Sequence, residues 1–184
     1  MANKSSIFKV RIDMANIDQH RYEQLCFTVA MSANESYQHF VMRLLAYAMV
    51  PEQRIAFGQG VCNGNDPDVM VKDYDEHYIY WIDVGYPQSA RVKKACNQAD
   101  NVIIFSLKQS DWLTRNQFEI MAYNNVQMVL LEPKLIEPLE QSLTRTLNWS
   151  LVLDGNKIAV CDHHNYWESS ITRLNSVAEL AVKA

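Results

Sequence analysis

Two aspartates and a run of cations carry most of the chemistry this chain offers. Asp68 closes Asn65-Asp66-Pro67-Asp68, Asp83 lies in Trp81-Ile82-Asp83-Val84-Gly85, and Arg91-Val92-Lys93-Lys94 follows. Each of the two aspartates sits near the end of an apolar segment. Carboxylates so placed can hold a hard metal ion such as Mg2+ or Mn2+, and a nearby lysine can stabilise charge on a phosphate. The pattern points to phosphodiester chemistry. A blander reading makes Asp66 and Asp68 solvated turn residues beside a proline, and for Asp68 alone that reading is the stronger. Asp83 resists it, because it falls inside the most aromatic strand of the chain, where an unpaired charge is costly.

Further side chains could join this pair. In a helix beginning near Gln88, Val92, Ala95, Cys96 and Ala99 form the apolar face, while Arg91, Lys94 and Gln98 share a second and Lys93 falls on a third. Arg91, Lys94 and Gln98 could therefore face a phosphate, with Lys94 beside the metal. Lys93 and Lys94 read equally well as solvated helix surface. Glu35 has two open roles. Ser32-x-x-Glu35 ahead of an apolar run is a capping-box pattern, and a first-helix glutamate can also complete a metal site. Arg43, inside an otherwise apolar helix face, suggests an ion-pair partner for a buried carboxylate. Of the five histidines, His20, His39 and His77 read as turn or helix-surface residues, and His163-His164 as a local pair without the spacing of a third ligand.

The elements that must position these residues follow from periodicity. Phe8, Val10 and Ile12, then Leu25, Phe27 and Val29, alternate with polar or smaller residues and predict two strands joined across Asn16 to His20. Tyr37, Val41, Leu44, Leu45 and Ala48 have helical spacing, stopped by Pro51. Strands are predicted over 54–61, 69–72 and 78–84, a helix over 88–99 and a strand over 102–107. The central order is helix, three strands, helix, strand. Beyond it, helices over 114–124 and 134–146 flank a strand over 126–131. Asp154-Gly155-Asn156 joins strands 149–154 and 157–161 as a hairpin, and the tail from Trp167 is read as a strand and a short frayed helix. The fold class is mixed α/β.

Composition sets the outer limits. At 184 residues, with 48 % hydrophobic and 21 % charged, the chain reads as one domain over 1–184 of ordinary globular type. No apolar run approaches the roughly 20 residues of a membrane-spanning helix, and no secretion signal opens the chain, so a cytoplasmic location is expected. A net charge of −4 makes the whole molecule no magnet for nucleic acid, so phosphate binding needs a local patch. The four cysteines lack metal-type spacing and read as buried free thiols. With five glycines and no glycine-rich loop, a dinucleotide-binding fingerprint is excluded.

The runs ESYQHFVMRLLAYA, NDPDVMV, YWIDVGYP and ARVKKACNQA resemble those of the YaeQ family of bacterial proteins, over most of the chain. That resemblance implies a fold like the PD-(D/E)XK restriction-endonuclease superfamily. Its core of helix, three strands, helix and strand would here carry N- and C-terminal hairpins. Pro67-Asp68 matches the superfamily's first motif and Asp83 its acidic position, but Gly85 stands where the lysine belongs. The resemblance implies that a helix lysine takes over, Lys94 first and Lys93 second. Glu35 matches the first-helix acid and Gln98 a helix glutamine. The implied activity is a Mg2+- or Mn2+-dependent nuclease, with Asp68, Asp83 and Glu35 on the metal. The alternative is a non-catalytic module, binding nucleic acid or protein, that kept the scaffold and lost turnover.

Overall fold

The structure is a computed structural model that describes residues 5–59 and 65–175. Among these residues the strands are β1 (Ser6–Asn16), β2 (Arg21–Met31), β3 (Ile55–Phe57), β4 (Val69–Lys72), β5 (Tyr78–Val84), β6 (Ala99–Leu107), β7 (Val126–Leu131), β8 (Thr146–Asp154), β9 (Lys157–Cys161) and β10 (Tyr166–Asn175). The helices are α1 (Tyr37–Met49), α2 (Ser89–Gln98), α3 (Asp111–Met121) and α4 (Pro133–Gln141). The strands make one sheet in the order β2-β1-β8-β9-β10-β7-β6-β5-β4-β3.

That sheet curls until its two edges nearly meet. Phe27 of β2 and Phe57 of β3 have ring centroids 5.2 Å apart, and Tyr47 of α1 stacks on Phe57 at 4.3 Å. The concave side holds α1 and α4. Phe40, Val41, Met42, Leu44, Leu45, Ala46 and Ala48 of α1 are all buried, so this helix is apolar on nearly every side and sits inside the molecule. Inward residues such as Ile12, Ile82, Leu131, Leu151 and Ile158 close around it. On the convex side α2 and α3 cover β5 to β7, with Trp81, Val92, Ala95, Ile104, Ile120 and Met128 as a second core.

The predicted order of helix, three strands, helix and strand is present as α1, β3, β4, β5, α2 and β6. β3, β4 and β5 form an antiparallel meander, and β6 pairs parallel with β5 after the α2 crossover. The terminal hairpins are not appendages to that unit, however. β1 pairs in parallel with β8, and β10 pairs with β7, so both ends are built into one barrel-like sheet. The reason lies in their alternation. Phe8, Val10, Ile12 and Met14 put a full apolar row on one face of β1, which a free two-stranded hairpin would leave in water.

Several boundaries shift. The strand predicted over 54–61 is only Ile55–Phe57, and its last two positions, with Cys62, lie outside the described residues. The helix predicted over 114–124 begins at Asp111, because Ser110 caps it by accepting from the Leu113 amide. The helix predicted to reach Thr146 ends at Gln141, and the chain becomes extended into β8. The frayed helix expected at the C-terminus falls outside the described residues, past β10. Cys26 is exposed rather than buried, since it points outward from β2, and Cys96 and Cys161 are half-buried.

Candidate functional site

β5 runs into the site and then stops sharply. Gly85 has φ +86°, a left-handed conformation that L side chains rarely adopt, and its amide donates to the Phe105 carbonyl at 2.8 Å. A Cβ there would lie 3.6 Å from His39 Cδ2, an ordinary contact, so the backbone and not crowding selects glycine. The position that the resemblance gives to a lysine is therefore strained for any lysine. Opposite it, the Pro67–Asp68 segment runs close to β3. A Cβ on Gly58 would lie 1.8 Å from the Pro67 carbonyl oxygen, and only glycine allows that approach.

Asp68 and Asp83 end at the same place. Val69 pairs with Ile82, and the Asp68 amide donates to the Ile82 carbonyl at 3.0 Å, which sets the two aspartates at the same end of the β4–β5 pair. Their side chains then take different partners. Asp83, 1 % exposed, accepts from Arg91 Nε at 2.7 Å on Oδ2. Its Oδ1 accepts from Arg91 Nη2 at 2.8 Å and from Trp81 Nε1 at 3.0 Å. This is a fork-to-fork arginine pair under α2, on the convex side. Burial pushes the Asp83 carboxyl up, Arg91 draws it back down, and the neighbouring charge of Asp68 raises it again.

Asp68 turns instead toward α1. Its Oδ2 accepts from the Val84 amide at 2.8 Å and lies 3.4 Å from His39 Nε2. The other ring nitrogen of His39, Nδ1, meets Glu35 Oε1 at 2.8 Å. Burial works against the charged imidazole, but hydrogen bonds to Asp68 and Glu35 outweigh it and raise His39 to about 9. His39 is thus an imidazolium clamped between two carboxylates, not the helix-surface residue that its place in the sequence suggests. The helical spacing of Glu35 and His39 is a signal that could find it; Asp68 joins only in three dimensions.

Glu35 itself is spoken for. Arg43 binds it through Nε at 2.9 Å and Nη2 at 2.8 Å, and the Ser32 amide donates to Oε2 at 3.2 Å. The predicted ion-pair role of Arg43 is met. The capping box is half met, since Glu35 reaches back to the Ser32 amide, yet the helix is capped by Ser36, which accepts from the His39 amide.

The cations of α2 divide. Arg91 Nη2 also donates to the Asp66 carbonyl at 2.6 Å, and Lys94 Nζ donates to the Asn65 carbonyl at 3.2 Å and its side-chain oxygen at 3.1 Å. Both lie over the Trp81 ring, at 5.9 and 5.8 Å. Together they fasten the Asn65–Asp68 loop to the helix. Lys93 and Gln98 are exposed and are not brought to the aspartates. Tyr86, just past the end of β5, is exposed and lies against Trp112 at 5.8 Å, while Trp112 Nε1 donates to the Pro87 carbonyl.

A divalent metal does not fit these residues as they stand. Both Asp83 oxygens are neutralised by Arg91, Asp68 Oδ2 is taken by Val84 and His39, and Glu35 by Arg43 and His39. Among the described residues no three His, Cys, Asp or Glu side chains converge as a ligand set. No helix among them is long and apolar enough to cross a membrane.

The site and sheet define a mixed α and β protein with a nearly closed sheet around a buried helix. Similar solved structures include the crystal structures of YaeQ from Xanthomonas axonopodis pv. citri, with TM-score 0.88 and 22 % identity over 94 % of this chain and 99 % of that one, and of YaeQ from Pseudomonas syringae, with TM-score 0.88 and 22 % identity over 95 % and 98 %. The YaeQ protein family model matches residues 1–171, and the chain belongs to that family. "Uncharacterized protein YaeQ" of Escherichia coli K12 is 25 % identical over 175 residues, covering 94 % of this chain and 97 % of the relative. The Salmonella typhi protein of the same description matches with the same identity and coverage.

Proposed function

We propose that this chain is a non-cleaving nucleic-acid-binding module that retains a nuclease-like scaffold of the PD-(D/E)XK type. The observation that carries this reading is internal neutralisation: the carboxylates that would hold a metal are each paired with a cation of the chain itself. Gly85 adds to it, because its positive φ excludes the strand lysine that cleavage would use. Around the closed site, the first turns of α2 carry Lys93 and Lys94 and no acid, and the exposed Tyr86 precedes the helix, against Trp112. Cations that meet phosphates beside an aromatic face that stacks on bases suit a single strand.

The test is fluorescence anisotropy of a labelled single-stranded oligonucleotide in EDTA, across a salt series. Binding is expected to weaken linearly with the logarithm of salt, and the slope to fall by roughly 0.7 for each phosphate contact removed by Lys93→Ala or Lys94→Ala. Absence of binding at low salt defeats the proposal, as does Mg2+-dependent cleavage.

A second reading, metal-dependent phosphodiester cleavage, is favoured by one observation: the α1, β3, β4, β5, α2, β6 order with Asp68 and Asp83 at one end of paired strands. There Asp68, Asp83 and Glu35 would hold Mg2+ or Mn2+, Lys94 would serve as the catalytic cation, and Arg91, Lys93 and Gln98 would support it. Oligonucleotide cleavage that needs Mg2+ and disappears in both Asp83→Asn and Lys94→Ala would select this reading over the first.

A further inference from the structure

Arg91 lies inside a shell of oxygens that a hard cation would also choose. Asp83 Oδ2 is 2.7 Å from Nε, Asp83 Oδ1 is 2.8 Å from Nη2, and the Asp66 carbonyl oxygen is 2.6 Å from Nη2. The charge of Asp68 acts on the same guanidinium and on Asp83. We propose that Arg91 is the resident cation of this site and the residue that makes it independent of divalent metal. This deepens the non-cleaving reading, because it names what replaces the metal.

The physical basis is competition. A guanidinium tethered on α2 is present at the site at all times, whereas a free ion must bind from solution. Arg91 is also held by a contact that a metal would not replace, its lodging over the Trp81 ring, and its bond to the Asp66 carbonyl pins the loop. Mg2+ and Mn2+ want oxygen donors in near-octahedral array and are usually content with one or two carboxylates plus water. Asp83 and the Asp66 carbonyl are open to such an ion only once the guanidinium is gone, and the nearby charge of Asp68 adds to their pull on a cation. His39 plays a lesser part, since it touches Asp68 from the other side of the sheet and leaves Asp83 untouched.

The experiment titrates the full chain with MnCl2 into the millimolar range, following free Mn2+ by electron paramagnetic resonance and melting by circular dichroism. Wild type is expected to leave the Mn2+ signal and Tm unmoved. Arg91→Ala is expected to melt lower and to bind a single Mn2+, with a Tm that climbs by roughly 5 °C as the ion saturates. Arg91→Ala/Asp83→Asn, which removes the buried charge, is expected to fold and to bind none. An Arg91→Ala chain that folds only with Mn2+ present supports the proposal equally. Mn2+ binding by wild type overturns it, as does an Arg91→Ala chain that gains neither Mn2+ nor stability while the double variant folds. Oligonucleotide binding by wild type in EDTA reports on the proposed function alone, so the two ideas can fail separately.

Discussion

Two arginine–carboxylate pairs lie on opposite sides of one sheet, and both join an acid to an arginine eight residues on: Glu35 with Arg43, and Asp83 with Arg91. The concave pair is sealed. Glu35 and Arg43 side chains are 0 % and 2 % exposed, and the guanidinium lies between the rings of Phe40 and Phe57 at 5.5 and 5.4 Å. Its Nη2 also donates to the Ala30 carbonyl of β2, so Arg43 ties α1 to both edges of the sheet. The convex pair is open on one side. Arg91 remains 22 % exposed, lies over the ring of Trp81 and binds a loop carbonyl. Equal spacing in sequence therefore yields a structural latch in one place and a surface site in the other. What separates them is access to water.

The largest effect should come from breaking the latch. Arg43→Met takes both guanidinium bonds from the buried Glu35 and leaves it His39 and the Ser32 amide, and removing one partner of a buried pair costs roughly 3–5 kcal/mol. Urea unfolding should show the midpoint falling sharply; a loss under about 1 kcal/mol would mean that the two pairs are not different in kind. Arg91→Met should cost about 2 kcal/mol, because water reaches its side of the pair and Asp83, already pushed up by burial, can take a proton. The same urea series checks it, and the ratio of the two losses measures the contrast directly.

Much of the convex site is legible in the sequence because it is local. β4, β5, β7 and β9 stand where alternation and turn residues put them, and so do Asp68 and Asp83 at one hairpin end. The helical phase of α2 places Arg91 and Lys94 on one face, as found, although they hold Asp83 and the Asn65–Asp66 backbone and no phosphate is needed to explain them. The concave side is less readable. Pairing of β1 with β8 joins Lys9 to Thr146, and no window of sequence encodes so distant a register. The inside position of α1 follows from that closure, and with it the burial that makes Glu35, His39 and Arg43 one network. Arg43 is visible as an oddity on an apolar face. His39 is not, since its second carboxylate arrives from another strand.

His39 gives the network around α1 a pH dependence. Its folded value is raised from 6.5 to about 9, so its contribution to stability is complete below 6.5 and is lost as pH rises through 9. Between those values a single group changes stability by on the order of 1 kcal/mol per pH unit. The groups facing it are Glu35 from the segment ahead of α1 and Asp68 from the start of β4. Wild-type Tm should therefore fall from pH 6.5 to 9, and His39→Gln should flatten that slope. A slope unchanged in the variant would assign the titration elsewhere.

The smallest effect concerns how the two helices begin. Ser36 Oγ accepts from the His39 amide at 3.1 Å, whereas Gln88, at the same position ahead of α2, makes no side-chain cap bond. Ser36→Ala should cost about 1 kcal/mol and Gln88→Ala close to nothing, read as paired urea midpoints. The asymmetry has a reason. α1 starts beside a clamped imidazolium and a buried glutamate, so its first turn must hold His39 in register for both carboxylates. α2 needs no such cap, because Arg91 and Lys94 already anchor its first turns to Asp83 and to the loop. If Gln88→Ala costs as much as Ser36→Ala, the side-chain anchors of α2 do not substitute for a cap, and the division between a latch and an open site loses its support at the helix ends.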